Sequence, residues 1–326
     1  MVIYLKVYSV LLSEYVRKWD DMKYNISLRI VGMLGALFCI ALYLREPSFP
    51  TPDKLLVFLT FVFMAFGQGW QFFRRLAPFV ALLLVYESFR GLVPRLNDNV
   101  NFAFMIDADR LLGFGSLPTT ALQGWLWHGH VQWYDFALYL VYMLHFVLPL
   151  ALALVVWKLR EREYWRYITT FLTVSFAGFL TFLAFPAAPP WMASDQAYIQ
   201  PITRVSSQVW AALGVHDFPS LYNRISPNPV AAMPSLHAAY STLFALFVFK
   251  LFGKKWGLLA SLYPVMIYFG TVYQGEHYLI DEIAGGLYAA GAFVAAPYIL
   301  RAIQGLWLRL QEDEWIAEHG MAEVEA

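Results

Sequence analysis

Eight runs of apolar residues, each near the length that crosses a lipid bilayer, constrain this chain more than any other feature. They are Leu28–Leu44, Leu55–Trp70, Leu76–Val93, Trp133–Trp157, Tyr167–Phe185, Pro234–Phe252, Gly257–Tyr273 and Ile283–Ile303. A helix needs about 20 apolar residues to span the hydrocarbon core, and its backbone polar groups must pair within the segment. The pattern predicts an all-α fold, a polytopic membrane helical bundle of about eight transmembrane helices. The second and third runs are short and close together, which predicts a helical hairpin there. Composition agrees. Of 326 residues, 60% are hydrophobic and 14% charged, against about 45–50% and 25% in soluble domains.

Lys and Arg near the ends of the runs set the expected orientation. Lys18, Lys23 and Arg29 precede or open the first run, and Arg74 and Arg75 follow the second. Lys158, Arg160, Arg162 and Arg166 fill the loop after the fourth, Lys250, Lys254 and Lys255 flank the end of the sixth, and Arg301 and Arg309 lie at the end of the eighth. With an even number of spans these clusters share one face. That face is expected to be cytoplasmic, with both termini on it, in a plasma membrane. Three segments fall on the other face: Gly91–Gln132, Pro186–Met233 and the short turn Gln274–Glu282. Long loops of this kind are functional or carry helices of their own. "DRLLGFGSLPTTALQGWLW" and "ITRVSSQVWAALGV" read as short interfacial helices.

The expected organisation is an N-terminal interfacial segment (1–27), a membrane-embedded domain (28–303) and a cytoplasmic tail (304–326). The first segment, "MVIYLKVYSVLLSEYVRKWDD", has its apolar residues on one face and no cleavage-site pattern. It reads as an amphipathic helix lying on the membrane, or as a loosely ordered tail. The acidic C-terminal end reads as solvated or frayed. Net charge is zero, with no basic tract to track nucleic acid. The single cysteine, Cys39, excludes an internal disulfide framework and a cysteine-based zinc site.

Polar chemistry gathers at the openings of two late runs. "AAMPSLHAAYS", Ala231–Ser241, opens the sixth, and "GEHYLIDEIAGG" opens the eighth. His277 and Asp281 are four apart, so on a helix they share a face. The carboxylate can then fix one imidazole nitrogen and leave the other aimed outward. That is the arrangement of a nucleophile or base held by a third group. His237 reaches the same level. Ser235 and the N–H groups after Pro234, which suits a first helical turn, offer an anion site. Other readings stand beside this one. Either histidine alone reads as a capped or solvated residue, and His237, His277 and Asp281 are also possible zinc ligands. His145, in the middle of the fourth run, reads as a buried structural residue. Asp107 and Asp109 precede "RLLG" like helix-capping acids.

"MPSLHAAYS" followed by "YQGEHYLIDEIAGG" resembles the type 2 phosphatidic acid phosphatase superfamily. That family carries a P-S-x-H element at one helix start, and a histidine four residues before an aspartate at a later one. The resemblance covers Tyr167 to Ile303 and implies a six-helix phosphatase-type core. It assigns His277 as the nucleophile that becomes a phosphohistidine, Asp281 as the residue that orients it, and His237 as the acid that protonates the leaving oxygen. Ser235 would hold a phosphate oxygen. No cofactor or metal is expected.

Three departures refine the resemblance. Leu236 stands where a glycine is usual, Gly270–Thr271 replaces a serine–arginine pair, and "FPAAPPW", Phe185–Trp191, occupies the place of an upstream K-x6-R-P element. They resemble the inositol phosphorylceramide synthase branch, as do "VYESFRGL" and "YMLHF". A phosphoester site without cations is underneutralised, so Arg90 and Arg224 are the candidate phosphate clamps, with a snorkelling role open for Arg90. The expected activity is lipid phosphotransfer on the outer face, moving a phospho-head group from a lipid phosphate or phospholipid to a lipid or polyol hydroxyl. The alternatives are hydrolysis of a lipid phosphate or polyprenyl diphosphate, and, from another class, a transporter or flippase.

Overall fold

The computed structural model describes residues 26–45, 52–214 and 228–320. Their helices, in chain order, begin with α1 (Ile26–Arg45), α2 (Pro52–Ala65), α3 (Gly69–Arg90) and α4 (Val93–Leu96). Next come α5 (Ala103–Leu112), α6 (Pro118–Leu126), α7 (Trp133–Leu159), α8 (Tyr164–Ala184), α9 (Pro190–Asp195) and α10 (Val205–Ala212). The last four are α11 (Leu236–Phe252), α12 (Lys254–Ala260), α13 (Leu262–Tyr273) and α14 (Leu279–Gly320). The eight apolar runs fold largely as helix, the second interrupted by the turn at 66–68 and the seventh by a break at Ser261. Six stretches are long and apolar enough to cross a membrane, while α11 and the Lys54–Ala65 part of α2 are apolar but shorter. The backbone stays helical to Gly320, through much of the segment expected to fray.

The chain divides into two compact units, Met1–Pro78 and Phe79–Ala326. In the first, the helices that pack closely are α1 and α2. A short turn joins α2 to α3, but the close pairing expected between them is made instead by α1 and α2. The reason is a pair of glycines: a methyl group at Gly32 would overlap the backbone of Met64 and Ala65, and one at Gly35 would overlap Phe61. Small residues of this kind let two apolar helices approach closely where hydrophobicity alone gives no drive to associate.

In the second unit, α11 is the central helix, packed against α7, α8, α12, α13 and α14. Its buried positions, among them Ala238, Tyr240, Leu243 and Phe247, run round the helix, as expected of a helix enclosed on all sides. α11 and α14 cross at their openings. Gly285 makes this possible, because a methyl group there would overlap the carbonyl oxygen of Ser235. At the far end of α11, Lys250 pairs with Glu163 at 3.2 Å, beside Arg160, Arg162 and Arg166. The basic loop therefore lies at the opposite end of the bundle from His237.

Over the histidine-bearing end lie α5, α6, α9 and α10; α6 and α10 fall in the stretches where short helices were expected, α5 overlaps the start of the first, and α9 was not anticipated. Their own apolar core contains Met105, Ile106, Leu117, Ala187 and Tyr278. The proline-rich segment runs extended between two others, and Ala187 bridges to both Asn101 and Ala231. Buried Gln123 ties three pieces together. Its amide nitrogen donates to the carbonyls of Thr203 (2.7 Å) and Tyr273 (2.8 Å), and its oxygen accepts from the Thr203 N–H at 2.8 Å.

Candidate active site

The site forms where α11 and α14 begin. Ser235 is the N-cap of α11; its hydroxyl oxygen accepts from the Ala238 N–H at 3.2 Å. Pro234 precedes the cap and lies outside the first turn. The Ser235 N–H donates to the Asp281 carbonyl at 3.0 Å, which locks the two openings together. His237, the second residue of α11, follows directly.

His277 is not on a helix, contrary to the simple spacing argument. It lies in the turn before α14, and its contact with Asp281 bridges the helix start. The His277 Nδ1 is 3.3 Å from Asp281 Oδ2, and the same oxygen accepts from the Tyr278 N–H at 2.9 Å. Asp281 thus caps its helix and holds the imidazole with one carboxylate. Gly275, at φ +76°, turns the chain into this segment. The left-handed backbone and the packing of Ile202 against that glycine leave no easy place for a side chain. The other ring nitrogen of His277, Nε2, meets His237 Nδ1 at 3.3 Å. Asp281, His277 and His237 therefore form one chain of contacts.

The turn is fastened to the outer segments from several sides. Trp191 N–H donates to the Gly275 carbonyl and Val205 N–H to that of Gln274, each at 3.1 Å. Arg204 forms a fork on Glu276, at 2.8 and 3.0 Å, with its guanidinium 4.3 Å over the Trp191 ring. Ser206 donates to the same carboxylate. The histidines therefore sit beneath a cover of these segments. His277 is only 6% exposed.

Asp109 lies within α5, near its end, and caps a different helix. Its Oδ1 accepts from the Ile280 N–H at 3.1 Å, at the start of α14 and 171 residues away. Asp107 instead lies beside Arg110 on the exposed face of α5, at 3.9 Å. Leu236, which occupies the usual glycine position, packs on Gly178 of α8; a methyl there would lie 3.0 Å from its Cδ2. Thr271 stands in the place of the family's arginine, with its hydroxyl 2.9 Å from buried Glu282 Oε1. Arg90 lies near enough for its charge to act on both His145 and His237, and its carbonyl accepts from the Asn228 side chain at 3.1 Å. Arg224 lies outside the described residues.

Sequence reasoning missed two features. One is the Arg204–Glu276 pair. The other is the contact of His145, read as a buried structural residue, with His237, 4.1 Å from ring to ring. The apolar, aromatic surroundings of His145 gave no sign of it; "YMLHF" was the only available signal. Among the described residues, no three His, Cys, Asp or Glu side chains are grouped to hold a metal ion.

An all-α bundle with a histidine–histidine–aspartate chain at two adjoining helix openings defines a class. A family model described as the PAP2 superfamily matches residues 103–295, more than half of the chain, and the chain belongs to that superfamily. The match begins well before Tyr167 and takes in α5, α6 and α7. Among curated proteins, the chain is 34% identical over 168 residues to a phosphoinositol dihydroceramide synthase of Bacteroides thetaiotaomicron, covering 48% of this chain and 53% of the relative. It is 32% identical over 162 residues to the inositol phosphorylceramide synthase catalytic subunit aur1 of Schizosaccharomyces pombe, covering 47% and 38%. The aligned part thus spans about half, or less, of these relatives. No solved structure matches the chain.

Proposed function

We propose that this protein is an integral-membrane lipid phosphotransferase that works through a phosphohistidine. The observation that carries the reading is the chain of contacts from Asp281 through His277 to His237, at 3.3 Å in each step. With its Nδ1 held by Asp281, His277 presents Nε2 as the nucleophile. It attacks phosphorus as the bond to the leaving lipid alcohol breaks, and His237 gives that oxygen its proton. The acceptor hydroxyl then attacks the phosphohistidine, the P–N bond breaks, and His237 takes the hydroxyl proton. Dividing one displacement into two lowers each barrier. The close approach of the two histidines, 3.3 Å between ring nitrogens, supports the positioning that phosphoryl transfer needs.

The names of the two relatives support a phosphoinositol head group as the group moved and a ceramide-type hydroxyl as the acceptor. Arg90 is the phosphate clamp in this reading, and Ser235 orients a phosphate oxygen. Arg224 remains a second candidate clamp. The separation of basic loop and histidines to opposite ends of the second unit supports an extracytoplasmic site, cytoplasmic termini and a plasma-membrane location. The interfacial segment 1–27, catalytic domain 28–303 and tail 304–326 complete the proposed organisation.

The test uses purified protein in lipid with head-group-labelled phosphatidylinositol and ceramide. Label should move to a new lipid, and His277→Ala and His237→Ala should each abolish the transfer while leaving the protein folded. Arg90→Ala should raise the KM for the donor. Release of water-soluble label alone would replace transfer with hydrolysis, and full activity in His277→Ala would overturn the phosphohistidine.

A further inference from the structure

His145 lies twelve residues into α7, about 18 Å along the helix from Trp133 at 1.5 Å per residue. Its ring is buried among aromatic neighbours. It lies 4.1 Å from His237, and 4.9 Å from Tyr240 with only 15° between the planes. Tyr142, one turn earlier on the same helix, stacks on His237 at 4.4 Å and 20°. Two rings at such spacing cannot share one face of an imidazole, so α7 clasps His237 between Tyr142 and His145.

Stacking alone does not require a histidine. Phe171 already packs on Tyr240 at 4.3 Å in this neighbourhood. An imidazole adds two ring nitrogens that are costly to bury unpaired. Among the described residues, His145 Nδ1 is buried without a hydrogen-bond partner, and so is Nε2 of His237 beside it. Two adjacent imidazoles thus each hold one unsatisfied nitrogen. A hydroxyl is the smallest group that answers both, because it donates one hydrogen bond and accepts others.

We infer that His145 and His237 together form the seat of the reacting alcohol hydroxyl. This rests on the phosphotransferase reading. The acceptor hydroxyl donates to His237 Nε2 and accepts from the His145 Nδ1–H. As its oxygen bonds to phosphorus, the bond from phosphorus to His277 breaks and the hydroxyl proton passes to His237. His145 keeps its proton throughout and fixes the direction of the attacking lone pair. The leaving alcohol occupies the same seat in the first half-reaction. The ligand class is therefore a lipid-borne primary or secondary alcohol.

Two variants separate the nitrogen from the ring. His145→Phe keeps an aromatic ring and removes Nδ1, while His145→Asn keeps a donor near the Nδ1 position and removes the ring. In head-group transfer to ceramide, the Phe variant should lose about tenfold or more in kcat, with the donor KM little changed, and the Asn variant should exceed it. Phe within about twofold of the parent, or Asn no better than Phe, would make His145 a packing residue. Loss of the folded, monodisperse protein in both variants would do the same. His277→Ala serves as the control: an active control overturns the phosphohistidine itself, whereas an inactive control with a normal Phe variant overturns only the hydroxyl seat.

Discussion

At His277, the proposed nucleophile, burial and the neighbouring carboxylates oppose each other. Burial by itself lowers the pKa of an imidazole, but the hydrogen bond to Asp281 and the carboxylates of Glu282, Asp281 and Glu276 raise it more, above the ordinary 6.5. The attacking nitrogen must be unprotonated, so kcat/KM should fall as pH drops through that raised value, with an acid limb centred above 6.5. Asp281→Asn should move the limb to lower pH and cut turnover by about a hundredfold or more, because orientation is lost with the charge. An unmoved limb in that variant would separate the titration from His277. Asp109 carries a second pH dependence. Burial pushes its carboxyl up to about 7, the Ile280 N–H opposes this, and the charge of Asp281 adds to it. The folded protein thus keeps a proton that the unfolded chain, with its carboxyl near 3.8, releases. The stability linked to that proton is present at low pH and is lost as pH rises from about 4 to about 7. Asp109→Asn should keep the Ile280 hydrogen bond and flatten this dependence in thermal unfolding between pH 5 and 8; an unchanged slope would assign it elsewhere.

Among elements, the crossing of α11 and α14 matters most, because it brings Ser235, His237 and Asp281 together. Gly285→Ala forces a methyl against the Ser235 carbonyl, and overpacking of this kind costs about 1–3 kcal/mol. Turnover should fall further than stability, since the displaced backbone carries the N-cap of α11. Gly178→Ala meets only the flexible end of Leu236, at 3.0 Å. It should cost less, and Leu236→Ala in the same chain should relieve it. Unfolding temperature and turnover, measured on all three proteins, check this; equal losses at Gly285 and Gly178 would mean that the crossing is not what limits the site. The expected hairpin of the second and third runs failed for a related reason. Run length and spacing say which segments are helices, but Gly32 and Gly35 decide that α1 and α2 are the pair that closes up.

For the whole molecule, the separation of charge from chemistry gives a direct topology test. In a Cys39→Ser background, a cysteine at exposed Trp125, in α6, should react with a membrane-impermeant maleimide in sealed right-side-out vesicles. One at Arg162, in the basic loop beside Lys250, should react only after permeabilisation. Labelling of both sites from one side would overturn the proposed orientation. The outer helices are part of the same device. Through Gln123, Asp109, Trp191 and Val205 they hold the turn that carries His277, so the site is roofed by segments from distant parts of the chain.

Local patterns carry the helical, membrane-crossing character of the chain and the pairing of His237 with His277 and Asp281. Each is written within one run or one helix opening, where periodicity, charge and spacing act directly. Tertiary structure decided what those patterns cannot encode: that His277 sits in a turn before its helix, that Asp109 caps α14, that Arg204 braces Glu276, and that His145 clasps His237. The reason is the solvent. In a helix that is apolar nearly all round, such as α7, no amphipathic stripe marks the face turned to the site. Small residues and buried hydrogen bonds choose which faces meet, and these couple positions that lie far apart in the sequence.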